Sequence, residues 1–408
     1  MSPRPMRTLV PALCAAEILG MAGFACFAAL LPELSAEWGL SSTQAGWVSG
    51  IYFGGYMVAV PVLVSLTDRI DPRRIYLVST LLSGAGALGF AALAEGFLSA
   101  MAFQALAGMG LAGTYMPGLK ALSDRLSGAA QSRATAFYTS SFGLGTSLSF
   151  LMAGQVGMWL GWRWAFGLAG VGTLMAFLIV ALVLEPRPPV RPEGPARHLL
   201  DFRPVLSNRP VMASVVAYTA HNFELFGFRS WIVAFLVFSQ GLQPPGGFAV
   251  EPTVVAALLI LVGIPASVLG NEMALRIGRV RWVVGVMGTS AALACVLGFA
   301  APLPTMGVLA LCVLYGATVT ADSAALTSNV VAVADPAYRG ATMALYSAVG
   351  FAGSFAGPLV FGTVLDLVGS QEASGWGLAF AAMGAGVAVG PLALLAERAA
   401  SRRTGTCR

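Results

Sequence analysis

Five ionisable side chains stand within stretches that are otherwise apolar: Glu17, His221, Glu224, Arg229 and Asp322. If these stretches cross a bilayer, each such group costs at least about 2.5–3.5 kcal/mol and marks function by default. A carboxylate that meets water on one side and a cation on the other can load and release a proton. Glu17, Glu224, Asp322 and His221 are therefore the candidate proton-coupling groups. His221, Glu224 and Phe228 follow i, i+3, i+7 and share a helical face, which favours Glu224. Arg229 lies about 140° around the helix from Glu224 and points to another helix or to a solute. Its guanidinium fork suits carboxylates, so it is the candidate solute anchor. Tyr315, Thr318, Asp322 and Asn329 form a second polar stripe. Tyr52, Tyr56, Gln104, Tyr115, Tyr138 and Tyr218 could complete a substrate-binding lining. Structural alternatives stand beside each role. Glu17 or Asp322 could be a fixed partner of Arg229 or Lys120, Lys120 could snorkel to an interface, and His221 and the tyrosines could be packing residues.

The elements that carry these residues follow from composition. The 408 residues are 57% hydrophobic and only 10% charged, with mean hydropathy +0.79. A soluble domain carries about 25% charged residues, so the bilayer is the solvent this chain suits. Forty-nine glycines agree, because small residues let membrane helices approach closely. Runs of sufficient length predict twelve spans near 9–31, 44–66, 74–94, 97–121, 134–156, 162–184, 211–238, 252–274, 282–301, 305–329, 341–365 and 376–396. The first run is too long for the apolar region of a signal peptide, so it is read as a retained helix.

The net charge of +5 does not point to nucleic acid, because the basic residues are spread over many short loops. With the N-terminus cytoplasmic, every Lys and Arg except Arg163 and Arg229 falls inside or at the inner rim. This predicts a multi-pass protein of the plasma or inner membrane with both termini cytoplasmic. Cys14, Cys26, Cys295, Cys312 and Cys407 have no metal-ligand spacing, and no metal or cofactor is expected.

Segment 185–210 is rich in Pro and Arg and reads as a cytoplasmic linker. It divides the chain into an N-terminal six-helix bundle, 1–184, and a C-terminal bundle with a short tail, 211–408. Gly161-Trp162-Arg163-Trp164-Ala165-Phe166 opens span 6, and Gly375-Trp376-Gly377-Leu378-Ala379-Phe380 opens span 12. The expected fold is an all-α integral membrane protein: twelve transmembrane helices in two six-helix parallel pseudo-repeats.

The loop after span 2 reads Val64-Ser65-Leu66-Thr67-Asp68-Arg69-Ile70-Asp71-Pro72-Arg73-Arg74. It resembles the signature loop of the major facilitator superfamily, Gly-x-x-x-Asp-Arg-x-Gly-Arg-Arg. Asp68, Arg69 and Arg73 match; Val64, Asp71 and Pro72 depart. The Gly-Trp-Arg-Trp-Ala-Phe opening and the Gly350, Gly353, Gly357-Pro358 run are similar to the same family. A weaker copy of the loop keeps Arg276, Gly278 and Arg279. The resemblance implies a secondary transporter, not an enzyme, that works by alternating access as a monomer. Its solute site would lie between the halves, lined by spans 1, 4, 7 and 10, and the ionisable candidates fall on those spans. Asp68, Arg69 and Arg73 would be gating residues, with Asp68 facing the start of span 11 near Gly340–Thr342. Span 5 lacks the Gly-Pro motif of many proton-driven exporters, Gln104 stands where an Arg is frequent, and spans 2 and 8 lack the arginines of nitrate carriers.

The expected partners are therefore a small-molecule solute, protons and membrane lipid, with no nucleic acid. The expected activity is proton-coupled transport of a small organic anion. One alternative is proton-driven efflux of a neutral or cationic drug-like compound; another, of a different class, is a non-transporting sensor on the same fold.

Overall fold

The computed structural model describes residues 6–67, 69–187, 202–335 and 338–403. Among them every regular element is helical. In chain order these are α1 (Met6–Gly20), α2 (Cys26–Ala29), α3 (Leu31–Trp38), α4 (Ser42–Leu66), α5 (Pro72–Leu93), α6 (Phe97–Ala112), α7 (Tyr115–Ser123), α8 (Gly128–Leu160) and α9 (Trp162–Val183). There follow α10 (Arg203–Leu206), α11 (Arg209–Gly241), α12 (Pro252–Ile277), α13 (Arg279–Leu297), α14 (Thr305–Thr320), α15 (Ser323–Val333), α16 (Arg339–Val368) and α17 (Ala373–Arg403).

Among the described residues ten helical segments are long and apolar enough to cross a membrane, with α6–α7 and α14–α15 each counted as one. The other two of the twelve expected passes differ in kind. The apolar part of α1 is short, Thr8–Gly20, and the chain continues into α2 after an irregular turn. Helix α8 has ample length at 33 residues, but Ser140, Ser141, Thr146, Ser147, Ser149 and Gln155 dilute its hydropathy.

The chain forms two compact units, 1–39 with 51–197 and 40–50 with 198–408. In the first, α1 packs on α8 and α9, and α5 packs on α9. In the second, α11 packs on α16 and α17, and α13 packs on α17. The pairing pattern is the same in both, as a structural repeat requires. Helix α4 contributes its opening residues to the second unit and the rest to the first.

Several starts are capped by side chains. Asp71 precedes Pro72 and accepts from the Arg73 N–H at 2.9 Å. Glu251 precedes Pro252 and accepts from the Thr253 and Val254 N–H groups at 3.1 and 2.7 Å. An acidic N-cap followed by Pro at the first helical position is favourable on both counts.

Spans 1, 4 and 10, read from sequence as continuous, are interrupted. A break in hydrocarbon is tolerated where neighbours satisfy the freed backbone groups, and each break has a side chain from another helix on one of its carbonyls. At Met21–Ala25, Ser149 of α8 donates to the Ala22 carbonyl at 2.6 Å and accepts from the Ala25 N–H at 2.9 Å. At Gly113–Thr114, the Thr114 carbonyl already accepts the Gly118 N–H at 2.9 Å, and the Tyr138 hydroxyl of α8 reaches it as a second donor at 3.4 Å. At Ala321–Asp322, the Trp282 indole of α13 donates to the Ala321 carbonyl at 3.0 Å. The second break has a local cause: a Pro at position 117 clashes with the carbonyl four residues earlier, that of Gly113.

Candidate functional site

Glu17 sits on α1 one turn before the first break, where its carbonyl accepts the Met21 N–H. The side chain is 1% exposed. Its Oε2 accepts from the Tyr138 hydroxyl at 2.9 Å, and its Oε1 has no hydrogen-bond partner among the described residues. Tyr115 stacks on Tyr138 at 6.0 Å and meets Phe142 edge-on. Tyr52 is edge-on to Phe24 and, with Gln104, lines a small cavity beside Gly20, Gly23 and Thr173. Tyr56 is buried. Tyr138, a candidate for solute contact, therefore serves Glu17.

The second unit holds a larger cluster on α11. Glu224, 1% exposed, receives two hydroxyls on its Oε1: Ser290 of α13, at short range, and Tyr315 of α14 at 2.9 Å. His221 shares the face of Glu224 but contacts Asp322. The Nδ1–Oδ1 separation is 2.9 Å, off the line of a good hydrogen bond, so the contact is one of proximity and charge. The other ring nitrogen, Nε2, is 3.1 Å from Ser323 Oγ. Tyr218 stacks on His221 at 6.1 Å and on Tyr346 at 4.0 Å. Asp322 does not continue a regular stripe with Thr318, as its spacing suggested. It lies against His221, while the Thr318 hydroxyl is spent on the Leu314 and Tyr315 carbonyls.

Among the described residues no Lys or Arg nitrogen lies within 4.0 Å of Glu17, Glu224 or Asp322. Lys120 pairs with Asp124 on the next turn at 3.3 Å, and neither Glu17 nor Asp322 is its fixed partner. Arg229 makes no ion pair or hydrogen bond among the described residues; its guanidinium lies 5.6 Å from the Phe226 ring.

At the loop after α4, Asp68 lies outside the described residues. Arg69 is exposed, and Arg73 donates to the Ala181 carbonyl at 2.8 Å. Asp71, a departure from the signature, caps α5 and accepts from the Arg187 N–H at 2.8 Å. Sequence reasoning missed Ser149, Trp282, Ser290 and Ser323. One signal was available: Glu17-Ile18-Leu19-Gly20 and Glu224-Leu225-Phe226-Gly227 match across the repeat, which pairs the two glutamates as equivalents.

The comparisons agree with this architecture. A mouse protein described as "Sphingosine-1-phosphate transporter SPNS2" is 23% identical over 376 residues, 84% of this chain and 66% of the relative. A Streptomyces lividans "Chloramphenicol resistance protein" is 28% identical over 174 residues, 43% of each. The chain thus spans less than two thirds of the length of these relatives. The crystal structure of a bacterial homologue of the human lysosomal transporter Spinster, inward-facing and occupied, superposes with TM-score 0.78 at 16% identity and covers 97% of both chains; it shows the fold. The family model of the Major Facilitator Superfamily matches residues 13–358. With two like-packed sets of helices and buried carboxylates beside interrupted helices among the described residues, this chain is a multi-pass membrane protein and belongs to the Major Facilitator Superfamily.

Proposed function

We propose that the protein is a proton-coupled secondary transporter of a small organic anion, working by alternating access. Glu17, Glu224 and the His221–Asp322 pair are the proton-carrying groups, and Arg229 is the solute anchor. The observation that carries this reading is the lack of any Lys or Arg beside the three buried carboxylates among the described residues. Burying an ionised carboxylate without a cation is costly, and a proton is the counter-charge left to it. Arg229 supports an anionic solute from the other side: it pairs with no carboxylate among the described residues, and a solute carboxylate or phosphate would supply the missing anion.

The placement of Lys and Arg supports a plasma or inner membrane location with both termini cytoplasmic. Residues 185–210 act as the linker between bundles of 1–184 and 211–408, and Asp68, Arg69 and Arg73 act in gating. The mouse relative's name agrees with an anionic solute. That of the Streptomyces relative favours a second reading, efflux of a neutral or cationic compound, in which the acids contact the solute.

The test is flux into proteoliposomes under an imposed pH gradient, with a panel of small carboxylates, phosphate esters, neutral solutes and organic cations. Anion flux should follow the gradient and lose that dependence in Glu224→Gln. Cation or neutral flux that follows the gradient would favour the second reading, and flux indifferent to both gradient and variant would exclude proton coupling through Glu224.

A further inference from the structure

The break at Ala321–Asp322 is held from three sides. From α13, the Trp282 indole N–H occupies the Ala321 carbonyl at 3.0 Å. From α11, His221 contacts both residues that follow, Asp322 through Nδ1 at 2.9 Å and Ser323 through Nε2 at 3.1 Å. From α12, the backbone of Gly270 lies against the same Ala321 carbonyl, so closely that a Cβ there would overlap the oxygen.

A carbonyl left without a helical donor in hydrocarbon needs another donor, or the helix re-forms around it. The carboxylate meets the ring at the interruption, and nothing in residues 320–323 explains the interruption: the segment Thr320-Ala321-Asp322-Ser323 contains neither Gly nor Pro. The donor that makes the interruption tolerable is the indole of Trp282.

We propose that Trp282 and Ser323 are positioning residues for the proton site. Trp282 keeps the helix interrupted so that Asp322 stays on His221. The ionised Asp322 carboxylate, which can only accept, favours the hydrogen of the neutral ring on the Nδ1 facing it, and Ser323 Oγ supports that tautomer by donating to Nε2. Loading takes one proton from water onto the pair. When that proton is on the ring, both nitrogens carry hydrogen, and Ser323 Oγ changes from donor to acceptor; release to water reverses the change. The other titratable groups around the pair are Glu224 and Tyr218 on α11 and Tyr346 on α16. Among the described residues no Lys or Arg pairs with it. The proposal rests on the reading of His221–Asp322 as a proton-carrying pair.

The chain has two histidines, His198 and His221, so nitrogen NMR of histidine-labelled protein in lipid nanodiscs resolves His221 without knowledge of the solute. His198→Gln assigns the signals, and Asp322→Asn sets the scale. The neutral ring should carry its hydrogen on Nδ1. Trp282→Phe keeps a ring but removes the N–H donor, and it should move the His221 titration midpoint at least half as far as Asp322→Asn does. Trp282→Gln restores a donor and should return the midpoint toward the parent value. Ser323→Ala should change the tautomer ratio and shift the midpoint by about half a pH unit or more, as expected for loss of one buried hydrogen bond.

A role in general packing would not produce rescue by Gln or a tautomer change. If Asp322→Asn moves the midpoint while Trp282→Phe and Ser323→Ala leave it and the tautomer unchanged, the positioning roles are wrong and the proton pair stands. If Asp322→Asn itself changes nothing, the pair is not a unit and the underlying reading fails. Should Trp282→Phe not fold, Ser323→Ala and Trp282→Gln decide.

Discussion

The Asp366 carboxylate caps the start of α4. Its Oδ1 accepts from the Ser42 N–H at 2.9 Å and its Oδ2 from the Thr43 N–H at 2.7 Å. Both partners lie in the second compact unit, so the opening turns of α4 are fastened to α16. A carboxylate satisfies two orphan donors and meets the positive end of the helix dipole. Asp366→Asn keeps one acceptor and loses the charge. It should cost about 1 kcal/mol and lower the apparent melting temperature of the detergent-solubilised protein by a few degrees. An unchanged melting temperature would mean that solvent replaces the cap at no cost.

The same contact depends on glycine. A Cβ on Gly50 would stand 2.5 Å from the Phe355 carbonyl oxygen, which is backbone and cannot swing aside. Gly50→Ala should therefore destabilise by about 1–3 kcal/mol. On α13, a Cβ on Gly288 meets nothing within 4 Å, and Gly288→Ala should be neutral or gain about 0.5–1 kcal/mol. Thermal unfolding of the two variants side by side checks the contrast, and equal effects would contradict it.

Ser290 and Tyr315 donate to one oxygen of Glu224. Ser290→Ala and Tyr315→Phe should each cost about 1–3 kcal/mol, because the buried acceptor loses a partner. Their effects should not add: residues sharing one partner couple by about 0.5–3 kcal/mol. A double-mutant cycle on unfolding free energy measures that coupling. Additivity within error would show that the hydroxyls act independently.

Arg229→Lys separates the two transport readings. Lys keeps the charge but not the two-pronged donor geometry. For an anionic solute, uptake in proteoliposomes should fall by roughly two orders of magnitude, about 3 kcal/mol of charge-assisted hydrogen bonding. For a neutral or cationic solute the variant should keep most of its flux.

Glu33 on α3 lies outside the membrane-crossing segments, and its carboxyl is pushed above the usual 4.5, first by burial and then by the charge of Glu37. A carboxyl raised in the folded state binds its proton more tightly there than in the unfolded chain, so stability falls as pH rises from 4.5 through the folded value. Glu33→Gln should flatten that part of the melting-temperature profile and raise the melting temperature at neutral pH. A variant that melts below the parent at neutral pH would show that the ionised side chain is needed.

Much of the fold was legible because the bilayer demands apolar runs near twenty residues. The breaks were legible only where the cause is local. Pro117 pointed to Gly113, but the break at Asp322 depends on Trp282, distant in sequence and marked by nothing around it. Partner choice failed for the same reason. Spacing on one helix puts His221 with Glu224, whereas packing between helices gives the ring a different neighbour, Asp322. Ser290, one of two adjacent hydroxyls with Thr289 in an apolar run, carries no distinguishing pattern. Asp71 was readable: an acid before Pro72 is a helix-start signal, obscured by comparison with a motif that has Gly there.

Tyr138 has a single hydrogen and two claimants, Glu17 Oε2 at 2.9 Å and the Thr114 carbonyl at 3.4 Å. A phenol can serve one fully at a time. While Glu17 is ionised the hydrogen belongs to it; once Glu17 holds its own proton, it can donate to the phenol oxygen and free that hydrogen for the peptide group at the break. The chain thereby carries an internal reporter of its own charge state, readable as a vibrational shift of one amide carbonyl on α6–α7, a helix that Glu17 is not part of.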